Sequence, residues 1–107
     1  MIIDGEEYIK KETSTDYFIV RTYSAGVFAG EIIRRNGKEV TMRHARRLWY
    51  WDGAASLSQL AMEGVSKPEN CKFPCEVQEI ILTEAIEIIT CTEKAIHSIK
   101  EVSIWKK

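Results

Sequence analysis

Asn36-Gly37 lies between two runs of strand-like residues, and this dipeptide constrains the fold more than any other feature of the chain. Asn-Gly is the strongest short-range signal for a tight β-hairpin, because both residues tolerate the positive φ of a type I′ turn. It predicts that Val27–Arg35 and Lys38–Arg43 are antiparallel neighbours. Upstream, Tyr17–Tyr23 is rich in β-branched and aromatic residues and reads as a strand. Alternation puts Tyr17, Ile19, Arg21 and Tyr23 on one face and Phe18, Val20 and Thr22 on the other. Ser24-Ala25-Gly26 then supplies a turn of small residues. The prediction is a three-stranded antiparallel meander over Tyr17–Arg43.

Past the meander, Arg43–Trp51 reads as a strand with Arg43, Ala45, Arg47, Trp49 and Trp51 on one face. His44, Arg46, Leu48 and Tyr50 fall on the other. Asp52 is the predicted N-cap of a helix over Ala54–Glu63, whose apolar face is Ala54, Leu57, Leu60 and Ala61. Gly64 suits its C-terminal end, and Pro68 bars continuation. Ser66–Pro74 reads as a loop, followed by strands at Glu76–Leu82 and Ala85–Ile89. Thr90 and Glu93 have capping-box spacing for a helix over Thr92–Ile99, and Val102–Ile104 reads as a last strand. Near the start, Glu7–Lys11 reads as a short strand and Thr13–Asp16 as a turn. The expected fold is α+β: a mainly antiparallel, strongly curved β-sheet with two short helices, in a single domain over residues 1–107.

A chain with a formal net charge of -1 has no global field to draw it to nucleic acid, so any anion site must be local. No apolar run approaches the ~18–20 residues needed to span a bilayer. The N-terminal stretch lacks the basic and apolar regions of a signal peptide, and the expected location is the cytoplasm. Three cysteines, Cys71, Cys75 and Cys91, are an odd count that implies no disulfide framework. With His44 or His97 they do not reproduce zinc-site spacing, and no metal or cofactor is expected. Neither a nucleophile elbow nor a phosphate-binding Gly-Lys-Ser/Thr loop occurs, and Ser24, Ser56, His44 and His97 are not brought together by any motif. No catalytic residue is therefore assigned, and the chain reads as a binder rather than an enzyme.

Two stretches concentrate recognition chemistry. Arg21–Gly30 combines an arginine and an aromatic with Ser24, Ala25, Gly26, Ala29 and Gly30, where a ligand or another backbone can come close. Arg43–Trp51 is the one dense basic-aromatic cluster, able to pair with phosphates and stack on bases, or equally to supply core aromatics beside a solvated edge.

The segments Val20–Gly30, Arg46–Leu57 and Gly64–Pro68 resemble a family of small phage-encoded proteins, and the likeness extends over Tyr17–Val102. The resemblance suits anti-defence (anti-CBASS) "sponge" proteins that sequester cyclic-nucleotide immune signals. It implies a homo-oligomer in the host cytoplasm that binds a cyclic oligonucleotide without catalysis. Under it, Arg46 and Arg47 clamp phosphates, with Arg21 beside them. Tyr23, Trp49 and Trp51 stack on bases, Ser24, Ala25 and Gly26 present backbone N–H groups, and Ser56 adds a hydroxyl. In a regular strand Arg46 and Arg47 point oppositely, which leaves one of them for a structural role. The rival readings are a nucleic-acid-binding accessory protein, and a protein–protein inhibitor or virion component with the Trp-rich stretch as interface.

Overall fold

A computed structural model of the protein describes residues 16–106. The expected strand at Glu7–Lys11 and most of the turn before Tyr17 lie outside them. Five strands and two helices follow in order: β1 (Tyr17–Thr22), β2 (Val27–Asn36), β3 (Glu39–Arg47), α1 (Leu57–Glu63), β4 (Glu76–Leu82), β5 (Ala85–Thr90) and α2 (Glu93–Glu101). A single 3-10 turn, Pro68–Asn70, sits between α1 and β4. The strands form one sheet in the order β4-β3-β2-β1-β5, antiparallel at every step. The α+β class, the meander β1-β2-β3 and the two helices are as the sequence predicts.

The hairpin between β2 and β3 closes on Gly37 and Lys38, since Asn36 pairs with Glu39. Gly37 has φ 63°, while Asn36 and Lys38 are not in the left-handed region. Glycine at the first central position alone is the signature of a type II′ turn, which corrects the expected type I′ and has the same favourable twist.

A bulge interrupts β3. Its pairing with β2 runs from Ala29↔Arg46 to Glu31↔Arg43, so His44 and Ala45 together oppose Gly30. His44 carries φ 54° to make this possible. Gly30 is required opposite it, because a Cβ there would lie 2.7 Å from the Ala45 Cα. The extra residue inverts the alternation beyond it. Arg43 and Arg47, expected on one face, are therefore on opposite faces: Arg43 sits by Glu31, and Arg47 by Phe28.

The sheet carries apolar residues on both faces. On one, Tyr17, Ile19, Ala29 and Leu48 pack with Leu60 and Ala61 of α1 and Ala95 and Ile99 of α2. On the other, Val20, Phe28, Val40, Met42, Ala45 and Leu82 form a second buried cluster. Burying nineteen apolar residues across these clusters is the main stabilising term.

Both helix starts differ from expectation. Gly53, with φ 94°, holds the chain out of helical geometry, and its carbonyl accepts from Ser66. The helix therefore begins later, with the Ser56 hydroxyl accepting from the Gln59 N–H at 3.2 Å. Asp52, the predicted cap, instead accepts from the Asn70 side chain at 2.9 Å. At α2 the cap is Thr92, not Thr90: its hydroxyl accepts from Ala95 N–H and donates to the Met62 carbonyl, tying the two helices together. The expected strand Val102–Ile104 reduces to one parallel bridge, Phe73↔Ile104. No helix among the described residues is long and apolar enough to cross a membrane.

Candidate ligand-binding site

The two recognition stretches meet. Leu48 N–H donates to the Val27 carbonyl at 2.8 Å, and Arg47 pairs in register with Phe28. The turn 23–26 thus lies directly beside the Arg47–Trp49 exit of β3. This turn is internally braced. The Thr22 hydroxyl donates to the Gly26 carbonyl at 2.8 Å and accepts from Ala25 N–H at 2.9 Å. Gly26 has φ 101°, a conformation that disfavours any side chain. Ala25 therefore has its N–H engaged within the turn and does not present it to a ligand. Ser24 and Gly26 are exposed, and Tyr23 holds its ring in solvent at 77% exposure while its N–H donates to the Glu84 carbonyl.

Arg46 is not a phosphate clamp. It is 3% exposed and donates to the carbonyls of Phe73 (2.7 Å), Ile99 (2.8 Å) and Pro74 (2.9 Å), with Ser103 at 3.4 Å. Its guanidinium also lies over the Phe73 ring. Burial pulls its pKa below the usual arginine value. The bulge aims this side chain into the helix-covered core, where it joins β3 to the segment before β4 and to the end of α2. Arg47 has the opposite fate. Its exposed guanidinium lies 4.6 Å from the Phe28 ring centroid, and among the described residues no carboxylate is paired with it.

The other predicted residues divide. Trp49 is 64% exposed and adjoins Arg47. Trp51 is half-buried against the helix-side core. Arg21 is paired across the sheet with Glu87 at 2.9 Å. Ser56 spends its acceptor on the α1 cap. The geometry therefore sets the Gly26 end of the turn beside Arg47 and Leu48, places Tyr23 against Lys38, Glu84 and Ile86 instead, and withdraws Arg46, Ala25, Trp51 and Ser56.

Sequence reasoning missed a neighbouring set. Lys72 pairs with Tyr50 through the backbone, and Trp105 N–H donates to the Phe73 carbonyl. The Lys72 ammonium consequently lies over both exposed rings, 6.0 Å from Tyr50 and 5.6 Å from Trp105. These residues are far apart in the chain and share no periodicity, so only the tertiary pairing reveals them.

A groove of about 570 Å³ runs along α2 past Val65, Pro68, Glu93 and His97, and it contains none of these residues. It is open and its rim is occupied by the His97–Glu101 pair, so the exposed Arg47–Trp49 region carries more recognition chemistry despite its shallower form. A depression of about 230 Å³ lies at Tyr23, Lys38, Glu84 and Ile86. Glu31 would be pushed up by burial, yet hydrogen bonds from Arg43 and His44 outweigh this and hold its carboxyl below the usual value. No group of three or more His, Cys, Asp or Glu among the described residues could hold a metal ion. Cys71 is buried and donates to the carbonyls of Lys67 and Asp52, Cys91 is buried in the core, and Cys75 is exposed.

Fold and site together define a small α+β protein in which a glycine turn lies beside an exposed arginine, with the exposed Trp49 following on the same segment. Residues 15–99 match DUF6948, a domain of unknown function, and the chain belongs to that family. Nothing among the curated proteins or the solved structures matches it.

Proposed function

We propose that this is a phage-encoded anti-defence protein that binds and sequesters a cyclic nucleotide immune signal without altering it, acting in the host cytoplasm. The observation that carries this reading is the junction at Val27 and Leu48, which sets the exposed turn beside Arg47 and Trp49. An exposed guanidinium without a carboxylate partner among the described residues suits a phosphate. Trp49 and Tyr23 offer aromatic faces for bases. Ser24 and Gly26 allow close approach of the ligand to the backbone.

A strongly curved sheet belongs to the same proposal. It is supported by the chain path: β4 and β5 are opposite edges, yet only Thr83 and Glu84 join them. Four strand spacings amount to about 19 Å on a flat sheet, whereas three extended residue steps reach only about 10 Å. Ala85 N–H also donates to Lys38 at the far hairpin. Curvature would place the Tyr23 turn, the hairpin and the β4–β5 link around one end of the molecule.

A second reading, a protein-binding inhibitor, is favoured by the exposure of Trp49, Tyr50 and Trp105. One experiment separates the two. The purified protein is incubated with a panel of cyclic di- and trinucleotides, then heat-denatured, and the released material is assayed. Intact ligand supports sequestration, altered ligand indicates an enzyme, and no uptake from any member of the panel rejects the nucleotide reading. Arg47→Ala and Trp49→Ala should each lower affinity about tenfold, while Arg34→Ala, which removes an exposed arginine elsewhere on β2, should leave it unchanged.

A further inference from the structure

The 3-10 turn Pro68–Asn70 and the segment after α2 border a second cavity, of about 520 Å³, which shares Pro68 and Glu101 with the groove along α2. Both of its walls are held by hydrogen bonds beneath them. On one side Cys71 N–H donates to the Pro68 carbonyl at 3.1 Å, and the Asn70 side chain donates to Asp52 at 2.9 Å. On the other, the buried Arg46 donates to the Ile99 and Ser103 carbonyls, and Trp105 N–H donates to the Phe73 carbonyl at 3.0 Å. The cavity is thus preformed, as small-molecule sites usually are.

Its lining carries one sign of charge. Glu69 comes from the 3-10 turn and Glu101 from the end of α2. No cationic side chain among the described residues lines the space, whereas Lys94 and His97 line the α2 groove. Glu69 forms no ion pair among the described residues. Glu101 meets His97 through Oε2, which leaves Oε1 for a further donor. Cys71, on the cavity wall, senses the same field. Burial raises its thiol pKa, and the charges of Asp52 and Glu69 raise it further, against the hydrogen bond from the Asp52 N–H. The remaining surface is largely apolar: Pro68, with Ile104 and Trp105, which are 54% and 40% exposed. The Trp105 ring already holds one ammonium, that of Lys72 at 5.6 Å from its centroid, so it is placed to attract cations.

We infer that this cavity binds an aliphatic diamine or polyamine. Two carboxylates from separate elements call for two cationic nitrogens, and the surface of Pro68, Ile104 and Trp105 suits the methylene chain that joins them. A bare metal ion fits less well. It would leave the apolar surface unused, and no group of three or more His, Cys, Asp or Glu is assembled among the described residues. A single small ammonium would engage one carboxylate and leave most of the space empty. The inference is independent of the nucleotide reading, since the cavity contains none of the residues on which that reading rests.

Isothermal titration calorimetry of the full chain with spermidine tests it, and the wild type should bind with a Kd of about 100 μM. Glu69→Gln and Trp105→Ala should each weaken binding about tenfold, with the far-UV circular dichroism unchanged. Glu39→Gln removes an exposed carboxylate at the opposite end of β3 from Arg46 and should leave the Kd unchanged. Exchanging sodium chloride for magnesium chloride of equal ionic strength should also leave it unchanged. An absence of saturable binding up to about 2 mM spermidine would overturn the inference. So would binding that Glu39→Gln weakens as much as Glu69→Gln, that Trp105→Ala leaves intact, or that magnesium abolishes, because each marks diffuse attraction to an acidic surface. Binding of a lysine-rich peptide in the absence of any spermidine binding would overturn it as well, and would make the cavity part of a protein interface.

Discussion

Arg46 and Arg47 are adjacent and chemically identical, and the fold gives them opposite work. Arg46 is buried and donates to the backbone carbonyls of Phe73, Pro74, Ile99 and Ser103, which between them hold its charge inside the fold. Removing it breaks these bonds together and vacates a buried volume beside Phe73, so Arg46→Ala should lower stability by about 3–5 kcal/mol in urea denaturation. Arg46→Lys should recover only part of this, because an ammonium cannot reproduce the planar fork. Arg47→Ala should cost no more than about 1 kcal/mol, the worth of an exposed cation–π contact. Finding the larger loss at Arg47 would reverse the assignment. The alternation rule already said that the two arginines point apart. Which one points inward was not legible, because it depends on the bulge at His44, and a lone histidine is only a weak local signal for left-handed geometry. Cys91 adds a pH dependence at the same scale. Burial pushes its thiol from 9.0 up to about 12. Above pH 9 the unfolded chain loses this proton while the folded chain keeps it, so the unfolded state binds fewer protons and stability falls as pH rises. The contribution is full below about pH 9 and is lost progressively towards pH 12. Cys91→Ala should flatten the stability profile over that window, measured by urea midpoints at successive pH values.

Elements whose ends are punctuated by one strong residue were read well. β1 and β2 begin where expected, and Gly64 ends α1 with φ 80° and its N–H on the Leu60 carbonyl. Starts with competing caps were not. Asp52, Ser56, Thr90 and Thr92 are all good N-cap residues by type. Gly53 and the pairing of Asp52 with Asn70 decide the first contest, while the Thr92 bond to Met62 across the two helices decides the second. These are tertiary facts. Thr92→Ala removes both the cap and the inter-helix bond and should cost more than Ser56→Ala, about 2 against about 1 kcal/mol. The bulge offers a sharper test of element geometry. Gly30→Ala forces a Cβ against Ala45 backbone and should destabilise by about 1–3 kcal/mol. His44→Gly removes left-handed strain and should be neutral or stabilising, even with its 3.5 Å contact to Glu31 gone. If His44→Gly proves as harmful as Gly30→Ala, the bulge does not set the phase of β3.

At the scale of the whole molecule, the sequence indicated the meander but not where the last two strands go. β4 returns to β3 and β5 to β1, pairings between segments far apart in the chain that no local pattern specifies. The consequence is a sheet with a buried cluster on each face, and this raises the question of whether the two faces unfold separately. The strands argue that they do not. In β1, Ile19 belongs to the helix-side cluster and Val20, the next residue, to the other; in β2 the same holds for Ala29 and Phe28. No segment can leave one cluster without withdrawing alternate residues from the other. Two substitutions on opposite faces therefore probe one equilibrium. Ile99→Ala truncates the helix-side cluster and Met42→Ala the opposite one, each from 0% exposure. Each should cost about 2–5 kcal/mol. Tryptophan fluorescence is dominated on burial by Trp51, which packs against the helix-side cluster, whereas far-UV circular dichroism follows the sheet as a whole. In a cooperative unit the two signals give coincident urea midpoints in the wild type and in both variants. If Met42→Ala shifted the circular-dichroism midpoint while the fluorescence midpoint stayed in place, the faces would be separate folding units, and the alternation along β1 and β2 would not couple them.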